Sequence, residues 1–315
     1  MRKFIYSDLH GNGNMYHTIM SYLDNISKQE EIILYINGDL IDRGLESADM
    51  LLDIKKRIEE NKFKIIYLGG NHELMMHQVF KKRKKGIYVS PYNDWYENGG
   101  WITDDCLADL LDFNQDKILE VADFVSNLKI YHTFTEKLNG KNIVLVHAAT
   151  LKTMKDPCTK KIKDDDSSVT YAVWTRERGY YSFFGLPIIE DTKYRIGHDD
   201  YFSIVGHDPN KNKYGFEYHE DGNYLNIDGG CARYVSGLFE YDHTPLVEIL
   251  DNSLRIITFN NNNEIIYGNY FINNKIIPFT EEELDKERNY LDKTFKPKKL
   301  ILLPDNIVGY EDWKR

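Results

Sequence analysis

Two residues near the N-terminus, Asp8 and His10, stand two positions apart in the stretch KFIYSDLHGN, directly after a short apolar run. Asp, Gly and Asn are ordinary strand-ending residues, so this pair alone reads as a turn. It also reads as a metal corner, because a carboxylate and an imidazole together offer an anionic oxygen and a neutral nitrogen, a mix that suits a divalent transition metal. Similar groups recur further along the chain. NGDLIDRG carries Asp39, GGNHEL carries Asn71, VHAA carries His147 and VGHDPN carries His207. Each follows a short apolar run. Any one is a plausible turn residue, but a turn does not require His, and five strand ends carrying metal-binding groups point to one site. Two cations held ~3.5–4 Å apart can clamp the attacking and leaving oxygens of a phosphoester. Such a pair needs an anionic bridge.

The elements that must position these groups follow from apolar patterning. Short runs rich in Ile, Val, Leu, Tyr and Phe predict strands over residues 3–7, 32–36, 64–68, 142–146, 201–205, 224–227, 237–241 and 246–250. Helical spacing puts Ile19, Leu23 and Ile26 on one face of residues 15–27, and Leu51, Ile54 and Ile58 on one face of residues 47–60. Helices alternating with strands early, then clustered strands, predict an α/β fold of packed layers. In such folds sites gather beyond the carboxyl ends of strands. After residue 250, FNNNNEII predicts a polar turn, IIYGNYFINNKIIPF an edge hairpin, and residues 280–294 a helix opened by a capping box of Thr280 and Glu283.

Composition narrows the classes. The chain has 315 residues, a hydrophobic share of 42% and a formal net charge of −10. An acidic protein gains little from the counterion release that drives nucleic-acid binding. The run KKRKK at residues 81–85 is the local exception and reads as a solvated basic face. No apolar stretch is long enough to span a bilayer, and no signal-peptide pattern opens the chain. Three scattered cysteines, Cys106, Cys158 and Cys231, suit a reducing compartment. These features predict a cytoplasmic protein with neither membrane nor nucleic-acid partner.

The series DLHGN, GDLIDRG, GNHE, VHA and VGH resembles the calcineurin-like metallophosphoesterases, and GDLIDRG with GNHE resembles their phosphoprotein-phosphatase branch. ENGGWIT (97–103), VWTR (173–176) and NIDGGCA (226–232) are similar to segments of its bacterial and phage members. The likeness runs to about residue 250. It implies two mixed β-sheets packed face to face between helices, with a catalytic domain over residues 1–250 and an extension over 251–315 that packs on or continues it. It further implies a first metal held by Asp8, His10 and Asp39, and a second held by Asp39, Asn71, His147 and His207, with Asp39 as bridge. The implied ions are two divalent cations, manganese first, with iron, zinc or nickel as substitutes. A metal-bridging hydroxide would attack phosphorus in line. His72 resembles the general acid, Asp42 the carboxylate that orients it, and Arg43 and Arg176 the phosphate clamps.

The resemblance leaves two substrates open, a serine/threonine phosphoprotein and, as the alternative, a bis(5'-nucleosyl)-tetraphosphate. A dead phosphatase fold acting only as a binding module fits poorly, since every ligand and the acid are present. His198, in RIGHDD, rivals His207, but the residues before it make a poorer strand, which places it at a surface or rim. Ala149 stands where the family commonly has Gly and is expected to reshape the pocket rim. Asp228 reads either as an anchor for a ligand His or as a turn residue.

Overall fold

Within β1 (Arg2–Tyr6) successive side chains part company: Phe4 and Tyr6 join one buried apolar cluster and Ile5 joins another. The same division by alternate residues holds in β2 (Ile32–Asn37), where Leu34 and Ile36 go one way and Ile33 and Tyr35 the other. A strand buried on both faces must lie between two layers. The computed structural model describes residues 1–152, 154, 157–176, 196–210, 212–235 and 243–298, with the backbone of 300–302 and 308–310.

The remaining strands are β3 (Lys64–Leu68), β4 (Tyr131–Leu138), β5 (Lys141–Val146), β6 (Tyr201–Val205), β7 (Glu217–His219), β8 (Tyr224–Asn226), β9 (His243–Leu250), β10 (Ser253–Asn260), β11 (Glu264–Ile272) and β12 (Lys275–Pro278), followed by a small hairpin of β13 (Leu300–Leu302) and β14 (Val308–Tyr310). Seven form one sheet in the order β12-β11-β10-β9-β1-β2-β3, and five form a second in the order β4-β5-β6-β8-β7. Both sheets are mixed. β1, β2 and β3 run parallel, as do β5, β6 and β8, while the flanking strands are antiparallel. Ile5, Tyr35, Val247 and Ile256 of the first sheet share a core with Ile143, Leu145, Phe202 and Ile204 of the second. The sheets therefore pack face to face.

Helices α1 (Gly13–Ser27), α2 (Ser47–Glu60) and α3 (Asn71–Lys84), the short α4 (Asp94–Glu97), α5 (Gly100–Leu110) and α6 (Gln115–Ser126) follow the parallel strands, and α7 (Ser167–Trp174), α8 (Cys231–Val235) and α9 (Glu281–Arg288) come later. Their apolar residues meet the other face of the first sheet in the larger cluster. α1 starts where Asn12 caps the Met15 N–H at 3.2 Å and buries Ile19, Leu23 and Ile26, as its pattern predicts.

No element is predicted over residues 71–138, although α6 shows the spacing of a surface helix, with Ile118, Val121, Ala122 and Val125 buried on one face. α3 buries Leu74, Met75, Met76, His77, Val79 and Phe80, so it lacks the polar stripe that reveals a surface helix. The strand predicted over residues 237–241 lies outside the described residues. β11 and β12 form the expected edge hairpin, and Thr280 and Glu283 form the expected capping box, on a helix that ends at Arg288 rather than residue 294. Among the described residues no helix is long and apolar enough to cross a membrane.

Candidate active site

Five parallel strands deliver the site. The carboxyl ends of β1, β2 and β3 lead into residues 7–12, 38–46 and 69–71, and those of β5 and β6 lead into His147 and His207. Bonds within the second sheet and across to the first lock these ends together. The His207 N–H donates to Asp8 Oδ1 at 3.0 Å, the Gly206 N–H to His147 O at 2.7 Å, and His147 Nδ1 to Asn37 O at 2.7 Å. Close approach requires glycine at one point in particular. A Cβ on Gly38, whose φ is 82°, would fall 2.6 Å from Gly70 N and 2.8 Å from His147 Nδ1.

Asp39 stands at the centre. Its Oδ2 lies 3.5 Å from His10 Nε2, 3.4 Å from His147 Nε2 and 3.9 Å from His72 Nε2. His10, Asp39 and His72 form one group able to hold a cation, and Asp39, His147 and His207 form another, sharing Asp39. Asn71 Oδ1 joins the second group, 3.1 Å from His147 Nε2 and 2.9 Å from His207 Nδ1. All six predicted ligands are buried.

The donor set fits metal ions. Carbonyl oxygens only accept, so the bonds to Ile41 O at 3.1 Å and to Asn37 O put the proton on Nδ1 of His10 and His147. That turns Nε2 of each ring toward Asp39, the arrangement seen when an outer bond fixes a ligand imidazole. Asp8 Oδ1 takes the His207 N–H, but Oδ2 is buried with no hydrogen-bond partner among the described residues. A buried carboxylate oxygen left so is costly unless a cation compensates it.

The electrostatics show the same demand for positive charge. Burial, with the nearby Asp228 charge, pushes the Asp8 carboxyl well above its usual range. Burial would raise Asp39 too, but the His147, His72 and His10 imidazoles outweigh it and hold Asp39 well below the usual range. Burial opposes charge on His147, yet Asp39 and Asp8 carry it up to about 10. His10 and His207 are pushed well down, first by burial, then by neighbouring positive groups. Burial and Asp39 lift Asp228 to about 7.

His72 opens α3 beside the cluster. Its Nδ1 is 2.7 Å from Asp42 Oδ2, and Arg43 Nη2 lies 3.3 Å from its Nε2. Arg43 is half-buried, whereas Arg176 is exposed and ion-paired with Asp208, next to His207. Trp174, in the same VWTR stretch, places its ring 6.0 Å from that of His207. Geometry alone makes His72 as able to face a cation as His10.

The other candidates divide. His198 pairs with Asp200 at 3.6 Å and belongs to neither cation-holding group. Asp228 holds the Gly230 N–H at 2.9 Å, a turn bond, yet it is buried within electrostatic reach of Asp8 and Asp39. Ala149 is fully buried and its N–H reaches Ala172 O at 3.1 Å, so it lies under α7 rather than at an exposed rim. Of the basic run, Lys81 meets Asp165, Arg83 meets Asp104 and Lys84 meets Asp123.

Sequence reasoning missed three residues that shape the site. Glu73 is fully buried and accepts the N–H groups of Asp39 (2.9 Å), Leu40 (3.2 Å) and Gly70 (2.8 Å) and the Tyr67 hydroxyl (2.6 Å). Its position three residues after Gly70 is a capping signature. Trp95 and Thr103 both bond to Asp42; Thr103 ends the ENGGWIT segment and Trp95 lies two residues before it. The backbone carries a further mark. Asp8, His10, Asp39, Asp42, Arg43 and His207 all have φ between 46° and 74°. Among the described residues, the left-handed ones that are not Gly, Asn or Asp are His10, Arg43, His207 and Phe113. Three of those four line the site, where strained backbone tends to gather.

Comparison with known proteins adds the following. The family model for calcineurin-like phosphoesterases matches residues 1–237. No curated protein matches the chain. Among solved structures, a cold-active protein-tyrosine phosphatase of a psychrophilic Shewanella species aligns at 15% identity and TM-score 0.46, over 82% of this chain and 77% of that one. A protein described as a diadenosine tetraphosphatase aligns at 15% identity and TM-score 0.45, over 82% and 93%. A serine/threonine phosphatase from Saccharomyces cerevisiae with similarity to human PP5 aligns at 13% identity and TM-score 0.42, over 82% and 79%. At these scores the three structures carry no weight for activity.

Proposed function

The chain belongs to the calcineurin-like phosphoesterase family, and we propose that within it this metal-dependent phosphoester hydrolase is a serine/threonine protein phosphatase. The observation that carries the substrate choice is the His72–Asp42 pair, bonded at 2.7 Å beside the Asp39 cluster. The alkoxide leaving from a phosphoserine or phosphothreonine is strongly basic and needs a proton as it departs. The nucleotide leaving from a dinucleoside polyphosphate is a phosphate and departs without one. A fixed acid at the leaving-group side is therefore matched to an alkyl phosphoester.

In this reading Asp8, His10 and Asp39 hold one cation, and Asp39, Asn71, His147 and His207 hold the other. When bound, the cations supply Lewis-acid stabilisation of phosphoryl oxygens and make water a nucleophile at neutral pH. His72 gives its proton to the leaving oxygen, and Asp42 aims the ring. Arg43 and Arg176 grip the phosphate, a task that suits planar guanidinium donors. Arg176 must exchange Asp208 for substrate to do so. Mixed oxygen and nitrogen ligands favour manganese, with iron, zinc and nickel as substitutes. Cys106 and Cys158 are free thiols, which supports a cytoplasmic setting.

One observation favours a second reading, a bis(5'-nucleosyl)-tetraphosphate hydrolase. Tyr88 and Tyr92, 81% and 84% exposed, follow the basic run at residues 81–85, and aromatic faces beside positive charge can stack bases. A panel of phosphoserine and phosphothreonine peptides, dinucleoside tetraphosphate and an aryl phosphate, under one manganese concentration, separates the two. The phosphatase reading predicts the highest kcat/KM on a phosphopeptide and loss of all activity on chelation. Preference for the tetraphosphate overturns it.

A further inference from the structure

Asp42 is fully buried, and its carboxylate is held from three sides. Oδ2 accepts from His72 Nδ1 at 2.7 Å and from Trp95 Nε1 at 2.8 Å. Oδ1 accepts from the Thr103 hydroxyl at 2.6 Å, and the same hydroxyl oxygen accepts Asp42's own N–H at 3.1 Å. Next to it, the Arg43 N–H reaches Gly99 O at 3.3 Å. Asp42 and Arg43 are consecutive left-handed residues, with φ of 74° and 73°. The partners cited for this turn, apart from His72, all come from residues 95–103, fifty or more positions away.

That segment is itself fixed. Trp95 is fully buried, with its ring 5.9 Å from Phe80. A Cβ on Gly100 would fall 2.3 Å from the indole, so only glycine lets helix α5 start there. A buried indole needs an acceptor for its N–H, and this one is aimed at a carboxylate already bonded to the imidazole at the active site.

We propose that Trp95 and Thr103 are positioning residues for phosphoester hydrolysis: their donors fix the plane of the Asp42 carboxylate and, through it, the aim of the His72 ring. The inference rests on His72 acting as the acid. With both oxygens of Asp42 anchored, the carboxylate cannot rotate about its own bond, and the imidazole that follows it stays directed at the cluster. Removing either anchor leaves His72 bonded to Asp42 but releases the pair to turn together. The step that suffers is the one in which the leaving oxygen takes its proton.

The test uses the full chain with Trp95→Phe, Thr103→Val and the conservative Thr103→Ser. Thr103→Val keeps the shape of the side chain, so it carries the test even where Trp95→Phe fails to fold. Kinetics on a phosphoserine peptide and on an aryl phosphate are compared at equal metal content, and the His72 Nδ1–H resonance is recorded in the metal-free protein. Expected is a loss of about tenfold in kcat on the peptide, with KM and the aryl phosphate rate changed by less than about threefold. The Nδ1–H resonance should shift or broaden, and Thr103→Ser should restore both readouts. Equal losses on both substrates with an unmoved resonance mean a purely structural role and overturn the proposal, as do unchanged rates. Should the wild type hydrolyse neither substrate, the hydrolase reading fails, and the resonance alone decides: unmoved in Thr103→Val, it overturns the positioning role.

Discussion

Asp39 shows what a single residue at this site must satisfy. Its carboxylate faces three imidazoles while its backbone takes a φ of 51°. A left-handed non-glycine residue costs on the order of 1–3 kcal/mol unless its surroundings hold it. Glu73 does much of that holding, since its two oxygens accept the N–H groups of Asp39, Leu40 and Gly70. Glu73→Gln keeps the volume but turns an NH2 group toward at least one of those donors. The variant should lose roughly 3 kcal/mol of stability in urea unfolding, the scale of losing bonds to a buried charged group. It should also bind metal more weakly, because the Asp39 loop loosens. A stability within about 0.5 kcal/mol of wild type would show that Glu73 does not hold the turn. The groups able to hold a cation were legible in the sequence because DxH, GD and GNHE are contiguous and chemically distinctive. The roles of Glu73 and Thr103 were not, although they end GNHE and ENGGWIT, nor was that of Trp95, because their partners are backbone groups and carboxylates that only folding brings near.

At the scale of elements, one buried ion network ties the ends of the chain to the first sheet. Arg2 of β1 donates to Glu248 of β9 at 2.7 and 2.9 Å, Arg255 of β10 donates to Glu248 at 2.9 Å, and Arg255 also meets Glu287 of α9. The Tyr22 hydroxyl of α1 bonds Glu287. Burial raises the Glu248 carboxyl, but Arg2 and Arg255 overcome it and hold it below the usual value of 4.5. A depressed folded value means stability that is fully present above about pH 4.5 and lost as pH falls through the lowered one. Glu248→Gln removes the carboxylate that Arg2 and Arg255 share, leaving Arg2 with Glu30 and Arg255 with Glu287, and should cost roughly 2 kcal/mol at pH 7. The gap between variant and wild type should narrow as pH drops below 4.5, because Glu248 of the unfolded chain then protonates while the native carboxylate is still held ionised, and closes as the native one protonates in turn. Urea unfolding of both proteins at pH 7 and near pH 4 measures this, and a gap that widens in acid would contradict it. None of this network was visible in the sequence, since its members lie on five elements and carry no periodic signal.

For the whole molecule, the fold follows from strands that are buried on both faces. The alternation of Phe4, Ile5 and Tyr6 between two apolar clusters, repeated in β2, forces a layer on each side of the first sheet. The predicted α/β layering held because β1, β2, β3, β5 and β6 are short, apolar and clearly ended. β4 and α3 escaped prediction for opposite reasons: β4 alternates weakly, with three of its eight residues partly buried and two exposed, and α3 is too buried to show a polar face. Two sheets meeting at their strand ends place His147 and His207 opposite His10 and His72, with Asp39 between them. The claim on which everything else depends is that Asp39 is shared by two cations. It is tested most directly by elemental analysis of the full chain after equilibration with excess manganese and removal of weakly held ion. The account predicts two metal ions per chain in the wild type and a collapse of both in Asp39→Asn, since a bridge without its charge fails each site. Two ions held normally in Asp39→Asn, or a wild type that never takes up more than one, would contradict it.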